Sequence, residues 1–253
     1  MQKRSKVIIG NDAHRTELSR PRRTIIGALG GLCYWLGFLL EIADENCLPR
    51  QAWRERNERR QIMFGKSAKL TARGHEQAKF IAQRCVRLPI EVIISSGFLR
   101  ADETARYIVD AVGKPLEQSD LFAERRHPSF PPGRSKSEPD YVAFEEGFWN
   151  KFDDPSWRHE DAENFDDLNA RAQAALRLLA GRPEKNVLVV GHGLFTKVLA
   201  AKVVFGDGLT GSECIKVLRA FRLENTGLSV FEHDPEHAGA SVWRIAVWND
   251  HAH

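Results

Sequence analysis

Residues 187–193 read Val-Leu-Val-Val-Gly-His-Gly. Four consecutive apolar residues without polar alternation suit a strand covered on both faces, the condition of a strand inside a parallel sheet. Parallel neighbours require crossover connections, usually helices, so this one stretch already points to a layered α/β fold. The chain repeats the pattern. Glu91–Ser95 (EVIIS) is a second short apolar strand, followed by a helical stretch over residues 100–112. Residues 195–205 supply the helix after the 187–190 strand. Ahead of both, Thr71 is placed to cap a helix whose apolar residues Ala78, Ile81, Ala82 and Cys85 recur at helical spacing. The expected fold is a three-layer sandwich, with a mostly parallel central sheet and helices on both faces. A chain of 253 residues that is 42% hydrophobic can fill one such domain with an appendage.

The rhythm is regular only from about residue 67, so the expected domain spans 67–253. Residues 1–66 form a divergent N-terminal segment with thirteen Lys/Arg against seven Asp/Glu, although the whole chain carries only +3. The basic excess is therefore local, and the net charge implies no nucleic-acid partner. Residues 24–40 (TIIGALGGLCYWLGFLL) are uncharged and follow Arg20, Arg22 and Arg23. Seventeen uncharged residues beside a basic flank are either a short membrane anchor formed by residues 20–40 or a buried helix with close glycine packing. An insert at about 128–167 opens with a Pro/Gly loop and turns acidic, with eleven acids against two bases over 137–168. Tyr141, Phe144, Phe148 and Phe152 within it share one helical face, for packing or as a lid. At the C-terminal end CIKVLRAFRLE (214–224), LSVFEH (228–233) and VWRIAVWN (242–249) read as successive strands, antiparallel ones among them.

Ligands of open α/β sheets gather beyond the carboxyl ends of the strands. Two stretches leave such ends here. In SSGFLRADETA (95–105), Arg100 opens a helix with a five-donor fork suited to phosphate, or pairs on the surface with Asp102 or Glu103. In GHGLF, His192 lies between Gly191 and Gly193, where glycine lets backbone approach a ligand, or the imidazole is bonded to a neighbouring loop. In LFAERRHPS (121–129), Glu124 is a candidate general acid or a salt-bridged loop residue. His127 follows it closely and is placed in the loop; His75, His159, His233, His237, His251 and His253 read as solvated.

LTARGHEQA, SSGFLRADETA, LFAE, AENFDDLNARA and VLVVGHG, in this order and spacing, resemble the histidine phosphatase superfamily, also called phosphoglycerate-mutase-like, over roughly residues 67–253. The resemblance implies a phosphohistidine mechanism: one histidine attacks phosphorus, arginines and a second histidine surround the phosphoryl oxygens, a carboxylic acid protonates the leaving oxygen, and water releases phosphate. Arg100 then matches the family's downstream arginine, His192 its second histidine and Glu124 its acid, with Gly193 beside the phosphate. No metal or cofactor is required when arginine and histidinium supply the positive charge. The implied partner is a small phosphorylated substrate, and hydrolysis of a phosphomonoester is favoured over mutase chemistry.

The family's opening Arg-His-Gly, whose histidine is the nucleophile, is not in this sequence. KVIIGNDAHRTELS (6–19) offers His14 after an apolar strand, but with Ala13 and Arg15 as neighbours and 57 residues ahead of Thr71. FLLEIADEN (38–46) is better spaced and has no histidine. A shifted frame or start upstream would leave the same signature as natural divergence. The alternative reading is therefore a catalytically inactive member that binds phosphorylated ligands or a protein partner. The four cysteines (Cys33, Cys47, Cys85, Cys214) lack metal or disulfide spacing, which fits a reducing, cytoplasmic compartment. Cys85 has Glu91 where a cysteine phosphatase needs arginine.

Overall fold

The sheet is built around the apolar runs. The computed structural model describes residues 5–11, 66–129, 137–154, 156–235 and 242–251. Its strands are β1 (Ser5–Asn11), β2 (Val92–Ser95), β3 (Leu116–Gln118), β4 (Asn186–Gly191), β5 (Leu228–His233) and β6 (Trp243–Asp250), in the spatial order β3-β2-β4-β1-β5-β6. β3, β2, β4 and β1 run parallel, whereas β5 is antiparallel to both β1 and β6. All four residues of β2 are buried, as are the last five of β4, which is why neither shows polar alternation.

Successive residues of these strands face opposite layers. Val92, Ile94, Val187, Val189 and Phe231 pack under α3 (Pro139–Lys151), α4 (Phe165–Ala180), α5 (Gly193–Phe205) and α6 (Gly211–Ala220). Ile93, Leu188, Val190 and Leu228 pack under α1 (Ala72–Cys85) and α2 (Leu99–Val112). Each fully buried Val, Ile or Leu contributes about 1.5–3 kcal/mol relative to exposure, so the two cores hold the layers together. The expected three-layer α/β fold is the observed one.

Thr71 is the N-cap of α1 and accepts a 3.0 Å bond from the Gly74 amide, and Ala78, Ile81, Ala82 and Cys85 are its buried face. One expectation changes. Residues 214–220 belong to α6 and not to a strand: Thr210 and Glu213 form a reciprocal capping box that starts the helix, and Val217 and Leu218 are buried three and four residues after the buried Cys214. β1, from the N-terminal segment, lies in the middle of the sheet between β4 and β5. The aromatic face of the insert packs inward. Tyr141, Phe144 and Phe148 on α3 are buried with the following Phe152, so this face is core and not a lid.

No helix among the described residues is long and apolar enough to cross a membrane, and residues 24–40 lie outside those residues.

Candidate active site

β2 and β4 end side by side, with Ser95 opposite Val190 and the Ser96 amide bonded to the Val190 carbonyl at 3.2 Å. Both strands then turn directly into helices. Gly97, with φ 76°, makes the first turn in a conformation that side-chain-bearing residues rarely adopt. His192 makes the second, as the extended N-cap of α5. Arg100, second residue of α2, and His192 thus start from adjacent strand ends although they are 92 positions apart.

Their side chains meet. Arg100 Nη2 lies 3.1 Å from His192 Nδ1, and Ser96 Oγ lies 2.7 Å from His192 Nε2. Arg100 and His192 are 8% and 1% exposed. The Phe98 ring packs against the imidazole with centroids 4.7 Å apart, and the Arg100 guanidinium stands 4.9 Å from the Phe98 centroid. Lys66 brings a second cation to the same ring at 5.8 Å. Thr104 and Thr196 bond the carbonyls of Arg100 and His192, four residues back in each helix, and fix the two helix starts.

Glu124 arrives from the loop after β3. Its carboxylate accepts from the Leu194 and Phe195 amides, each at 3.2 Å, so it caps the helix that His192 begins. Arg125 N–H adds a third bond to the same carboxylate at 2.9 Å. The loop is pinned by Arg171 of α4. Arg171 Nη1 donates to the Leu121 and Ala123 carbonyls at 3.1 and 2.7 Å, and Nε and Nη2 fork onto Glu163 at 2.8 Å each. Its guanidinium also lies 3.8 Å from the Phe195 ring centroid on α5. Lys197, one turn into α5, is pushed below the ordinary lysine range by burial, against the opposing charge of Glu124.

Gly191 and Gly193 differ in what they answer to. A Cβ at Gly191 would sit 3.6 Å from the Phe122 carbonyl, so this glycine lies against the loop that carries Glu124. A Cβ at Gly193 would meet nothing within 4 Å among the described residues. Among the described residues, space is therefore left beside the first amide of α5, the one that Glu124 does not take.

Arg100, His192, Gly193 and Glu124, the residues singled out in the sequence, are thus gathered at one edge of the sheet. Ser96 and Arg171 were present in the same quoted stretches but carried no assigned role; the serine pair closing β2 was the available signal for Ser96. His14 lies outside the described residues. β1 nevertheless ends at Asn11, paired with Gly191 one residue before His192, so the strand that precedes His14 is the one bordering this site. His127 stacks on Tyr141 and meets Phe144 edge-on, in the loop as expected. Three histidines read as solvated are instead partly buried: His75 meets the Tyr107 hydroxyl at 3.2 Å, His159 packs on Phe144 and His233 on Trp243. Cys85 and Cys214 are buried free thiols, and burial raises them to about 11 and about 12. No group of three or more His, Cys, Asp or Glu among the described residues could hold a metal ion.

The family model described as histidine phosphatase superfamily (branch 1) matches residues 47–251. The chain belongs to the histidine phosphatase superfamily. Among similar members, "Probable phosphoglycerate mutase GpmB" of Enterobacter sp. (strain 638) is 29% identical over 211 residues, covering 81% of this chain and 93% of that one. "Uncharacterized phosphatase PhoE" of Bacillus subtilis (strain 168) is 25% identical over 212 residues, covering 82% and 95%. Among solved structures, mycobacterial glucosyl-3-phosphoglycerate phosphatase superposes with a TM-score of 0.62 at 17% identity, covering 98% of this chain and 99% of that one. A mutant of the phosphoserine phosphatase of Entamoeba histolytica, in a complex with phosphoserine, gives 0.61 at 18% identity, covering 97% of each chain. At these identities the structural likeness is one of fold.

Proposed function

We propose that this histidine phosphatase superfamily member hydrolyses a small phosphomonoester through a phosphohistidine intermediate. The observation that carries the reading is the convergence of Arg100 and His192 at 3.1 Å, buried, where two parallel strands end and two helices begin. Phosphoryl transfer asks a protein mainly for positioning and for charge complementary to the phosphoryl oxygens. A guanidinium fork, an imidazole and the Gly193 amide at a helix start provide both. In this reading a histidine nitrogen attacks phosphorus as the bond to the leaving oxygen breaks, and Glu124 gives that oxygen its proton. Water then attacks the phosphohistidine, returns a proton to Glu124 and frees phosphate. To donate, Glu124 must carry a proton and release one of its two α5 amide bonds. The names of the similar proteins, phosphatases and phosphoglycerate mutases, favour an active enzyme over a silent binder. The position of β1 favours the 6–19 stretch over 38–46 as the segment that delivers the nucleophile.

The test is rapid quenching of the full chain with an aryl phosphate, followed by mass-spectrometric mapping of the phosphoenzyme. A phosphohistidine on one residue is expected, with phosphate release abolished by His192→Ala. Folded protein that releases no phosphate anywhere between about pH 4 and pH 8, and forms no phosphoenzyme, would overturn the proposal.

A further inference from the structure

The bonds that Glu124 accepts divide unequally between its two oxygens. Among the described residues, Oε2 receives the Leu194 amide at 3.2 Å, whereas Oε1 receives both the Phe195 amide at 3.2 Å and the Arg125 amide at 2.9 Å. Turning Oε2 toward a leaving oxygen therefore breaks one bond and keeps two, both on Oε1. Where the Arg125 amide points depends on how residue 125 is held. Its neighbours are fixed from α4 and the turn before it: Arg171 takes the Ala123 carbonyl, and Glu163 takes the Arg126 amide. The Arg125 side chain goes to a different element, the aromatic face of α3. Its guanidinium lies 3.8 Å from the Phe148 ring centroid and 5.0 Å from that of Phe144. Nη2 donates to Glu145 at 2.5 Å, a carboxylate that Trp149 Nε1 also reaches at 3.1 Å.

The Arg125 side chain is 6% exposed, and its Nε and Nη1 are buried without a hydrogen-bond partner among the described residues. Packing alone would be served better by an unbranched apolar side chain, which fills the same slot without burying two unpaired donors. What the guanidinium adds is direction. A charge-assisted bond to Glu145 and a seat on the Phe148 ring together select one placement of residue 125. We propose that Arg125 is a positioning residue for Glu124: anchored on Glu145 and Phe148 of α3, it holds the backbone amide that keeps Oε1 in place while Oε2 delivers the proton to the leaving oxygen. The inference rests on the reading of Glu124 as the acid. It gives the insert a part in the chemistry, since α3 then acts on the acid through this side chain.

The test is the leaving-group dependence of kcat/KM in the full chain, which reports the steps through loss of the leaving oxygen. A general acid matters little when that oxygen is a weak base and greatly when it is a strong one. Arg125→Met is expected to keep a urea midpoint close to the parent's, since the Glu145 side chain is 26% exposed and returns to water. Its kcat/KM should fall roughly tenfold or more for phenyl phosphate and no more than about twofold for 2,4-dinitrophenyl phosphate. Arg125→Lys, which keeps a cation beside Glu145, should recover part of the loss on phenyl phosphate. Glu145→Gln loosens the anchor without touching the loop; it should show the same selective loss in smaller measure, and it decides the outcome if Arg125→Met does not fold. Glu124→Gln is the reference and should show the selective loss in full. Equal losses on both esters, or none on either, in the Arg125 and Glu145 variants overturn the role of Arg125 while a selective loss in Glu124→Gln keeps the acid. Equal losses in Glu124→Gln itself overturn the acid and the inference with it. A parent chain that releases phosphate from neither ester overturns the phosphatase reading as a whole.

Discussion

Arg171 is where stability and the proposed chemistry meet. Its guanidinium bridges three segments: the loop ahead of Glu124, through the Leu121 and Ala123 carbonyls; the turn before α4, through Glu163; and α5, through the Phe195 ring. Arg171→Met removes four hydrogen bonds and leaves Glu163 behind. Summing them at about 1.5–3 kcal/mol each would give roughly 6–12 kcal/mol, but that sum ignores the cost of desolvating both ions. The Arg171 and Glu163 side chains are only 14% and 8% exposed, so the appropriate reference is the breaking of a buried pair, about 3–5 kcal/mol. Glu163 retains the Arg126 amide at 2.8 Å, which places the expectation toward the lower end. Urea denaturation followed by circular dichroism reads the loss, and adding Glu163→Gln to the same chain should restore part of it, since no carboxylate is then stranded. Arg171→Lys should be intermediate in stability yet lower turnover of an aryl phosphate, because an ammonium cannot fork onto Glu163 while reaching both carbonyls. A cost below about 1 kcal/mol for Arg171→Met would refute the reasoning, as it would place the pair among surface bridges.

Two further outcomes follow from packing and protonation. Gly211→Ala should destabilise by about 1–3 kcal/mol in the same denaturation assay, since the new Cβ would stand 2.6 Å from both the Asp153 Cα and the Phe152 carbonyl, backbone that a rotamer change cannot move. His233 is held below the ordinary histidine value of 6.5, first by burial and against the opposing charge of Asp234. Its folded pKa is depressed, so the unfolded chain binds the proton more readily. The stability it contributes is present above 6.5 and is lost as pH falls through the folded value. Melting temperatures taken across that window should fall less steeply in His233→Gln, and an unchanged slope would count against it.

The parts of the fold that were legible in the sequence are those set by local pattern. The uninterrupted apolar runs of β2 and β4 report burial on both faces, and Thr71 reports a helix start through its own side chain. Legibility ends where the deciding partner is remote. Residues 214–218 carry an apolar cluster too short to separate the two periodicities, and the missed signal was upstream, in the reciprocal cap of Thr210 and Glu213. β1 is a short apolar run whose strand character is completed by β4 and β5, which lie far along the chain. At the site, the types and order of Arg100, Glu124 and His192 were readable. That Glu124 caps the helix begun by His192 was not, because the loop is placed by Arg171 from a third element. Ser96 was visible as a residue closing a strand, but its bond to His192 depends on two strands being neighbours across a gap of 96 positions.

The cap also decides which backbone group an anion can use. Helix starts attract anions through their first amides, and in α5 two of these are taken by Glu124 while the Thr196 amide bonds the His192 carbonyl. Among the described residues the Gly193 amide is left without a partner, and no atom of theirs lies within 4 Å of a Cβ placed there. Gly193→Ala therefore separates folding from binding. The added methyl meets no atom of the described residues within 4 Å, and alanine is the better helix residue, so stability should be unchanged or higher by up to about 1 kcal/mol. If that space is where the phosphoryl oxygens sit, the methyl occupies it, and vanadate or sulfate affinity should fall at least roughly tenfold, about 1.4 kcal/mol. Equilibrium titration beside a denaturation curve measures both. A stable Gly193→Ala protein that binds the anion as tightly as the parent would move the phosphoryl group away from the start of α5, and with it the role given to the glycine after His192.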